Sequence, residues 1–343
     1  MNFISQERFE HLVKKFKSLE SLMVLGDLGI DKYTCGEVTR ISPEAPVPVL
    51  QVTEEKYKLG LSANISNNLN SLDIKSTLCG VVGEDKYADL LEKLMEDRGL
   101  NTWGMVRALS RKTTFKERVT AGVQQICRID YETVSTLDAK LEDKLIERFT
   151  DLLDGQKAII IEDYCKGTLT EKVIRKAIED FKSKGKIVAV DPGLNTPPRF
   201  YKGASLLKPN LKEAKAMVQA MGFSSQDLSS VAKILVEELE LDMLVITLGP
   251  EGMALVDNIN RPGELIKIPT VASSVFDVSG AGDTAIALLT ATLLAGGTLE
   301  EAAWISNCGS GVVVGKIGTA TVTLNELRDY YLKISKGHHI LQS

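Results

Sequence analysis

The chain is poor in the residues that build metal centres and disulfides. Of its 343 residues only three are histidine (His11, His338, His339). The five cysteines, at 35, 79, 127, 165 and 308, form no C-x-x-C pair. No structural zinc site is expected from such a set, and the separated cysteines, set among apolar neighbours, read as core filler. A basic excess is also missing. Forty-one Lys+Arg against 46 Asp+Glu give a net charge of −5, which argues against a nucleic-acid binder working through a basic surface. No window of 18 or more uncharged apolar residues exists, so no membrane span is expected. Neither a signal peptide nor a flexible linker, internal repeat or low-complexity tract is visible, and a reducing cytoplasm is the expected location. A Walker A loop is absent: Gly315-Lys316 is followed by Ile317, with Ser310 where the first glycine belongs.

What is present is a globular composition, 44% hydrophobic and 25% charged, enough apolar side chain to offset chain entropy over a sizeable core. Residues 1–20 place Phe9, Leu12, Val13 and Phe16 at helical spacing, an amphipathic helix. Beyond it, short β-branched or Leu-rich runs end in polar or glycine residues: Leu22–Leu25, Ser76–Val82, Ala158–Ile161, Ile187–Val190, Ser205–Leu207 and Met243–Ile246. Helical patterns lie between them at 86–98, 137–153, 169–184, 211–221 and 226–240. This is the βαβ rhythm of an α/β protein with a mainly parallel sheet covered on both faces, whose ligands bind beyond the carboxyl ends of the strands. Two stretches break the rhythm. Pro43, Pro46 and Pro48 exclude a helix over 37–54, and 113–132 alternates around Ala121-Gly122 as a hairpin. Both are expected to form a small β lid over the strand ends. The expected organisation is a helix over 1–20, one domain over 21–334 and a pattern-free tail over 335–343.

The most informative segment is Asp277-Val278-Ser279-Gly280-Ala281-Gly282-Asp283-Thr284, followed by an almost wholly apolar stretch that must be a buried helix. The segment sets two glycines and an aspartate on the first turn, where free N–H groups and the helix dipole make an anion site. A carboxylate there would repel a resting phosphate, unless it serves as general base for a hydroxyl attacking that phosphorus. Spacing alone leaves Asp283 as either this base or a helix cap. The loose fit of Gly280–Ala285 to the G-x-G-x-x-A dinucleotide pattern is weak, because Ala272–Phe276 is a poor strand and the motif sits near the C-terminus.

Asp277–Asp283 resembles the C-terminal signature of the ribokinase (PfkB) carbohydrate kinases, and the resemblance runs from about residue 21 to 325. Within it, Arg40-Ile41-Ser42-Pro43-Glu44-Ala45-Pro46-Val47-Pro48-Val49 is similar to the lid of the D-glycero-β-D-manno-heptose-7-phosphate kinases. Asp163-Tyr164-Cys165-Lys166-Gly167 and Gly311–Thr319 resemble the same subfamily. The resemblance implies a ribokinase-like three-layer α/β/α sandwich. It further implies transfer of phosphate from ATP, with Mg²⁺, to the anomeric hydroxyl of a heptose 7-phosphate, a step towards ADP-heptose for lipopolysaccharide core.

The roles it implies fall on matching residues. Asp283 would be the base, and the amides of Gly280, Ala281 and Gly282 the anion hole. Asp31, Gly60 and Asn64 would meet the sugar; for Asp31 the alternative is a turn cap in Gly26–Asp31. Asn210 and Glu213 would order Mg²⁺ and its waters near the phosphates, with a capping box as the alternative. Thr247, Gly249, Gly252 and Asn307 would line the nucleotide site. Asp277 matches the edge of the monovalent-cation (K⁺) site of many members, and such dependence here stays open. Arg40, Lys116, Arg118 and Lys166 are candidates for the substrate's own phosphate, with solvated lid charges as the alternative. Lys116 and Arg118 alternate onto one hairpin face.

Two departures stand out. The family's Gly-Gly before the sugar-binding asparagine is Gly60-Leu61, and the subfamily's Asp-Pro-Lys is Asp191-Pro192-Gly193. Both bear on the sugar rather than the reaction. They keep open two other readings: a kinase of this family for another sugar, sugar phosphate or nucleoside, and a catalytically silent sugar-phosphate-binding homologue. No H-x-G-H motif of a nucleotidyltransferase is present, so a separate adenylyltransferase is the expected pathway partner. Unpaired lid edges make a homodimer the expected assembly.

Overall fold

The computed structural model describes residues 3–342 apart from 123, 226, 273 and 274, with side chains described through 336. The six apolar runs form β1 (Leu22–Gly26), β4 (Ser76–Gly83), β8 (Ala158–Glu162), β9 (Ile187–Asp191), β10 (Leu206–Leu207) and β11 (Met243–Thr247). Three strands that the runs did not reveal complete the main sheet: β5 (Asn101–Ala108), β12 (Met253–Asp257) and β13 (Leu265–Ile268). The order is β13-β12-β11-β10-β9-β8-β1-β4-β5. All pairings are parallel except those of β12 with β11 and β13.

Because side chains alternate along a strand, each run feeds two cores. Val24, Leu78, Ile160 and Val245 face one side, under α1 (Gln6–Phe16), α2 (Ser62–Ser71), α3 (Lys86–Glu96), α8 (Ala281–Leu294), α9 (Leu299–Val313) and α10 (Leu324–Gln342). Leu25, Cys79, Ile161 and Ile246 face the other, under α4 (Ala139–Leu152), α5 (Glu171–Ser183), α6 (Leu211–Ala220) and α7 (Leu228–Glu238). Phe9, Leu12, Val13 and Phe16 are fully buried, so α1 is a layer of the core. The backbone of 335–342 continues as helix α10; the side chains of 337–343, where most of the expected tail falls, lie outside the described residues. No described helix is long and apolar enough to cross a membrane.

The lid is larger than its two sequence segments. It is a second sheet, β3-β2-β6-β7, made of β2 (Leu28–Ile41), β3 (Pro48–Leu61), β6 (Thr114–Ala121) and β7 (Gln124–Tyr131). β2 leaves β1 after a single residue, Asp27, so the lid is rooted directly at the carboxyl edge of the main sheet. Asp31 is therefore the fourth residue of a lid strand, not a turn cap. The cysteines divide: Cys79 and Cys308 are core filler, whereas Cys127 is exposed on β7 and Cys35 and Cys165 are half-buried.

Candidate active site

Helix α8, like α2 packed against it, opens without a capping side chain, unlike most of the helices. Helices α3, α5 and α7 start on side-chain caps, Asp85, Thr170 and Asp227. Helix α8 instead starts on Gly280, at φ +82° and with no capping side chain. A left-handed residue there suits glycine, and it leaves the first N–H groups to something other than the protein. Ala281 N–H is turned back to Val278 O at 3.2 Å. Among the described residues Gly280 and Gly282 N–H find no partner, so the protein offers these two of the three expected donors.

Asp283 is not the cap. It is 5% exposed, and both its oxygens are turned to side chains. Oδ2 accepts from Asn64 Nδ2 at 2.6 Å and Oδ1 from Tyr164 Oη at 2.7 Å. Burial pushes its carboxyl up to about 6, against the two hydrogen bonds, which favour the charged form. Asn64 is held in turn on buried α2, where Asn68, one turn on, accepts from Thr284 of α8 at 2.8 Å. The two helices thus lock Asp283 and Asn64 together. Burial beside the Asp283 carboxylate pushes the Tyr164 phenol well above its ordinary value, so it stays a hydrogen-bond donor.

Beside this carboxylate the strand ends carry a buried charge cluster. Gly26, Glu162 and Asp191 are neighbours in register across β1, β8 and β9. Lys208, 3% exposed, bonds Asp191 at 2.6 Å. A Cβ placed on Gly282 would lie 3.7 Å from both Asp191 Oδ2 and Lys208 Nζ, so this ion pair stands at the mouth of α8. Burial, with Asp191 and Asp283 nearby, pushes Glu162 well above the usual carboxylate range. Sequence reading missed Tyr164, Glu162 and Lys208 as site residues. Glu162 and Lys208 were signalled only by position, in polar tails of strands that end where ligands bind, and Tyr164 also by lying in the motif Asp163–Gly167.

A cavity of about 320 Å³ opens next to α8, and Thr247, Gly249, Gly252, Asn307, Ala281 and Gly282 all line it. Four of the five residues expected at the nucleotide are thus brought to one place; the fifth, Asn210, does not line this cavity. Asn307 is there as a brace: Nδ2 donates to Pro269 O at 2.7 Å and Oδ1 accepts from Val271 N at 3.3 Å. Asn210 and Glu213 form a full capping box on α6, with bonds of 2.9 and 2.8 Å. Glu213 is half-buried and within electrostatic reach of Asp191 and Lys208.

On the lid side, Asp31 accepts from Arg118 at 2.5 Å and from Thr319 Oγ1 at 3.1 Å. A Cβ on Gly60 would lie 2.9 Å from Asp31 Oδ2, so the glycine keeps this carboxylate uncovered. Leu61, the residue at the family's second glycine, sits at φ +54°, ψ −141°, a region that favours glycine, with its side chain 8% exposed. Lys116 and Lys166 converge on one carboxylate, Glu132, at 3.0 and 2.7 Å. Lys116 and Arg118 share a face, but their partners differ, Asp130 and Glu132 for one and Asp31 for the other. Arg40 is exposed on the outer part of β2, away from this convergence. Asp277 spends both oxygens on backbone, accepting from Ser279 N and Gly318 N, each at 2.9 Å. At Gly193 a Cβ would collide with Cys165 Sγ, so the missing lysine could not be accommodated without rearrangement.

A deeply buried carboxylate at an uncapped helix start, with a cavity beside it and the root of the lid sheet close by, fits a phosphotransferase with an alcohol as acceptor. The chain belongs to the pfkB family of carbohydrate kinases, whose family model matches residues 20–326. It is 39% identical over 324 residues to the Bifunctional protein HldE of Citrifermentans bemidjiense, covering 94% of this chain and 66% of that protein. It is 41% identical over 313 residues to the Bifunctional protein HldE of Wolinella succinogenes, covering 90% and 64%. The chain thus spans about two thirds of the length of these relatives. The fold is that of a ribokinase from Arabidopsis thaliana solved with ribose and ATP, at TM-score 0.66 and 18% identity over 92% of this chain and 98% of that one.

Proposed function

We propose that the chain phosphorylates the anomeric hydroxyl of D-glycero-β-D-manno-heptose 7-phosphate with ATP, giving the 1,7-bisphosphate. The observation that carries the chemistry is the Asp283 carboxylate, seated inside the α8 N-terminus between Asn64 and Tyr164. The lid resemblance over 40–49 and the HldE relatives support the sugar.

In this reading the acceptor lies between Asp31 and Asn64, with Gly60 as floor. Asp283 takes the hydroxyl proton as the new O–P bond forms and the bond from the γ-phosphorus to its bridging oxygen breaks, releasing ADP. Gly280 and Gly282 N–H and the Lys208 ammonium meet the charge on the transferred group. Thr247, Gly249, Gly252 and Asn307 line the space for the nucleotide. The donor set fits Mg²⁺ carried mainly by phosphates and water, since Glu213 is one half-buried carboxylate beside the Lys208–Asp191 pair. Bound there, Mg²⁺ would neutralise phosphate charge.

Lys116 and Lys166 are the cations for the substrate's own phosphate. They already straddle the two oxygens of Glu132, a spacing that a phosphate could take over by displacing that carboxylate. The same pairing favours a second reading, a kinase for an acceptor without a phosphate, in which Glu132 stays in place. Incubation with MgATP and heptose 7-phosphate, fructose 6-phosphate, ribose or adenosine, with products read by phosphorus NMR, separates the two. A 1,7-bisphosphate from the heptose alone supports the first reading, and turnover of ribose or adenosine instead contradicts it.

Self-association through the lid belongs to the proposal. Val38, Ile41, Val47, Val52 and Ile129 leave apolar surface exposed on it, and light scattering tests whether the protein is a dimer.

A further inference from the structure

The stretch Gly311–Thr319 resembles known kinases and lines the cavity beside α8 with Gly311 and Val314, yet its far end has no part in the chemistry above. Its last residue, Thr319, is 7% exposed and lies between the two halves of the site. Its Oγ1 donates to Asp31 Oδ2 at 3.1 Å, its N–H donates to Tyr33 Oη at 2.9 Å, and its carbonyl accepts from Lys58 Nζ at 2.6 Å. Tyr33 Oη is also 3.0 Å from Thr319 Oγ1. The threonine has one hydroxyl proton, and Asp31 can only accept it, so Tyr33 must be the donor to Thr319. The result is a directed chain, Tyr33 to Thr319 to Asp31.

The other side of Thr319 faces the phosphoryl site. A Cβ on Gly280 would lie 3.1 Å from Thr319 Cγ2. One residue earlier, Gly318 N–H holds Asp277 Oδ2, while Asp277 Oδ1 holds Ser279 N–H, both at 2.9 Å. The Tyr33 ring covers Gly318, whose Cβ would come within 2.8 Å of Tyr33 Cζ, and Lys58 and Arg118 flank that ring at 5.1 and 5.4 Å. One short loop therefore fixes the lid carboxylate that meets the acceptor and the turn that opens α8.

We propose that Thr319 is a positioning residue that couples acceptor binding at Asp31 to phosphate binding at Gly280–Gly282. Its hydroxyl sets Asp31, and its methyl together with the Gly318 amide sets the 277–280 turn. Each ligand then orders the loop that the other needs, and binding of one tightens the other. The inference rests on the sugar-kinase reading of Asp31 and α8.

The test measures the affinity of the Mg²⁺ complex of the non-hydrolysable ATP analogue AMP-PNP by calorimetry, with and without heptose 7-phosphate, or whichever acceptor the wild type turns over. In the wild type the acceptor tightens nucleotide binding at least about 5-fold, the low end of ordinary coupling. Thr319→Val keeps the methyl contact and loses the hydroxyl. It should bind nucleotide alone within about 2-fold of wild type, while the coupling falls below about 2-fold. Thr319→Ser keeps the hydroxyl and the Gly318 amide contact and loses only the methyl, so its coupling should fall between those of wild type and Thr319→Val, and Thr319→Val should add little to Asp31→Asn in a double-mutant cycle. Full coupling in Thr319→Val overturns the inference, as does turnover without any coupling in the wild type. Loss of nucleotide affinity and melting temperature together, in both variants, also overturns it and marks a structural role. Absence of turnover with every acceptor removes the kinase reading itself, a result distinct from all of these.

Discussion

Tyr164 donates its phenolic hydrogen to Asp283 at 2.7 Å across 119 residues of sequence, joining the tail of β8 to the first turn of α8. The bond does two things. It aims one carboxylate oxygen, and it favours the charged form, against the burial that pushes Asp283 up to about 6.

Removing that bond should move the acid limb of the pH profile. In the wild type, kcat/KM should rise with pH through about 6, the Asp283 value, as the carboxylate loses its proton. Tyr164→Phe leaves the charged form with one hydrogen bond fewer, so the limb should shift to higher pH by about one unit. An unshifted profile would show that Tyr164 does not tune the base.

The same carboxylate carries a stability signature of definite sign. Its folded-state value, about 6, lies above the ordinary 3.8, so the folded state holds the proton more tightly than the unfolded chain. Its contribution is most favourable below the ordinary value and is lost as pH rises through about 6, a change of roughly 3 kcal/mol. Asp283→Asn, having no charge to bury, should therefore gain stability relative to wild type at pH 8 but not at pH 4. Denaturant unfolding at the two pH values checks this; an equal difference at both would contradict it.

Lys208 neutralises a buried acidic cluster. Lys208→Met should strand Asp191 beside Glu162 and Asp283, destabilising the protein by about 3–5 kcal/mol. Urea denaturation reads the loss. A cost below about 1 kcal/mol, the scale of an exposed pair, would mean that the pair is solvated.

Leu61 makes a prediction that reverses a usual order. Elsewhere glycine is less stable than alanine by roughly 0.5–1 kcal/mol. At φ +54°, ψ −141° the backbone strain of a residue with a Cβ is about 1–3 kcal/mol. Leu61→Gly and Leu61→Ala both lose the buried side chain, but only glycine releases the strain, so the glycine variant should melt higher than the alanine one. The opposite order would mean that the site tolerates this backbone.

Much of the scaffold was legible because burial on both faces forces continuous apolar runs, as at Ala158–Ile161, with polar tails at the ligand-binding end. β5 escaped because it opens Asn101-Thr102-Trp103-Gly104 at the sheet edge, and β12 and β13 because they are short antiparallel strands beyond the βαβ rhythm. The lid was underestimated because Glu54-Glu55-Lys56 and its neighbours stand on an open sheet whose outer face needs no apolar residue. Of the site, the glycine-rich turn and Asp283 were visible as a local motif. The pairing of Lys208 with Asp191, of Asp283 with Tyr164 and of Lys166 with Glu132 was not, because each joins separate elements through tertiary contact alone.

Turnover by Asp283→Asn, measured at saturating MgATP and acceptor near pH 7.5 alongside nucleotide affinity, tests the general-base role of Asp283 most directly. The prediction is a fall in kcat of roughly 10²–10⁴-fold with nucleotide binding nearly unchanged. Turnover close to wild type would contradict it and remove Asp283 from the chemistry.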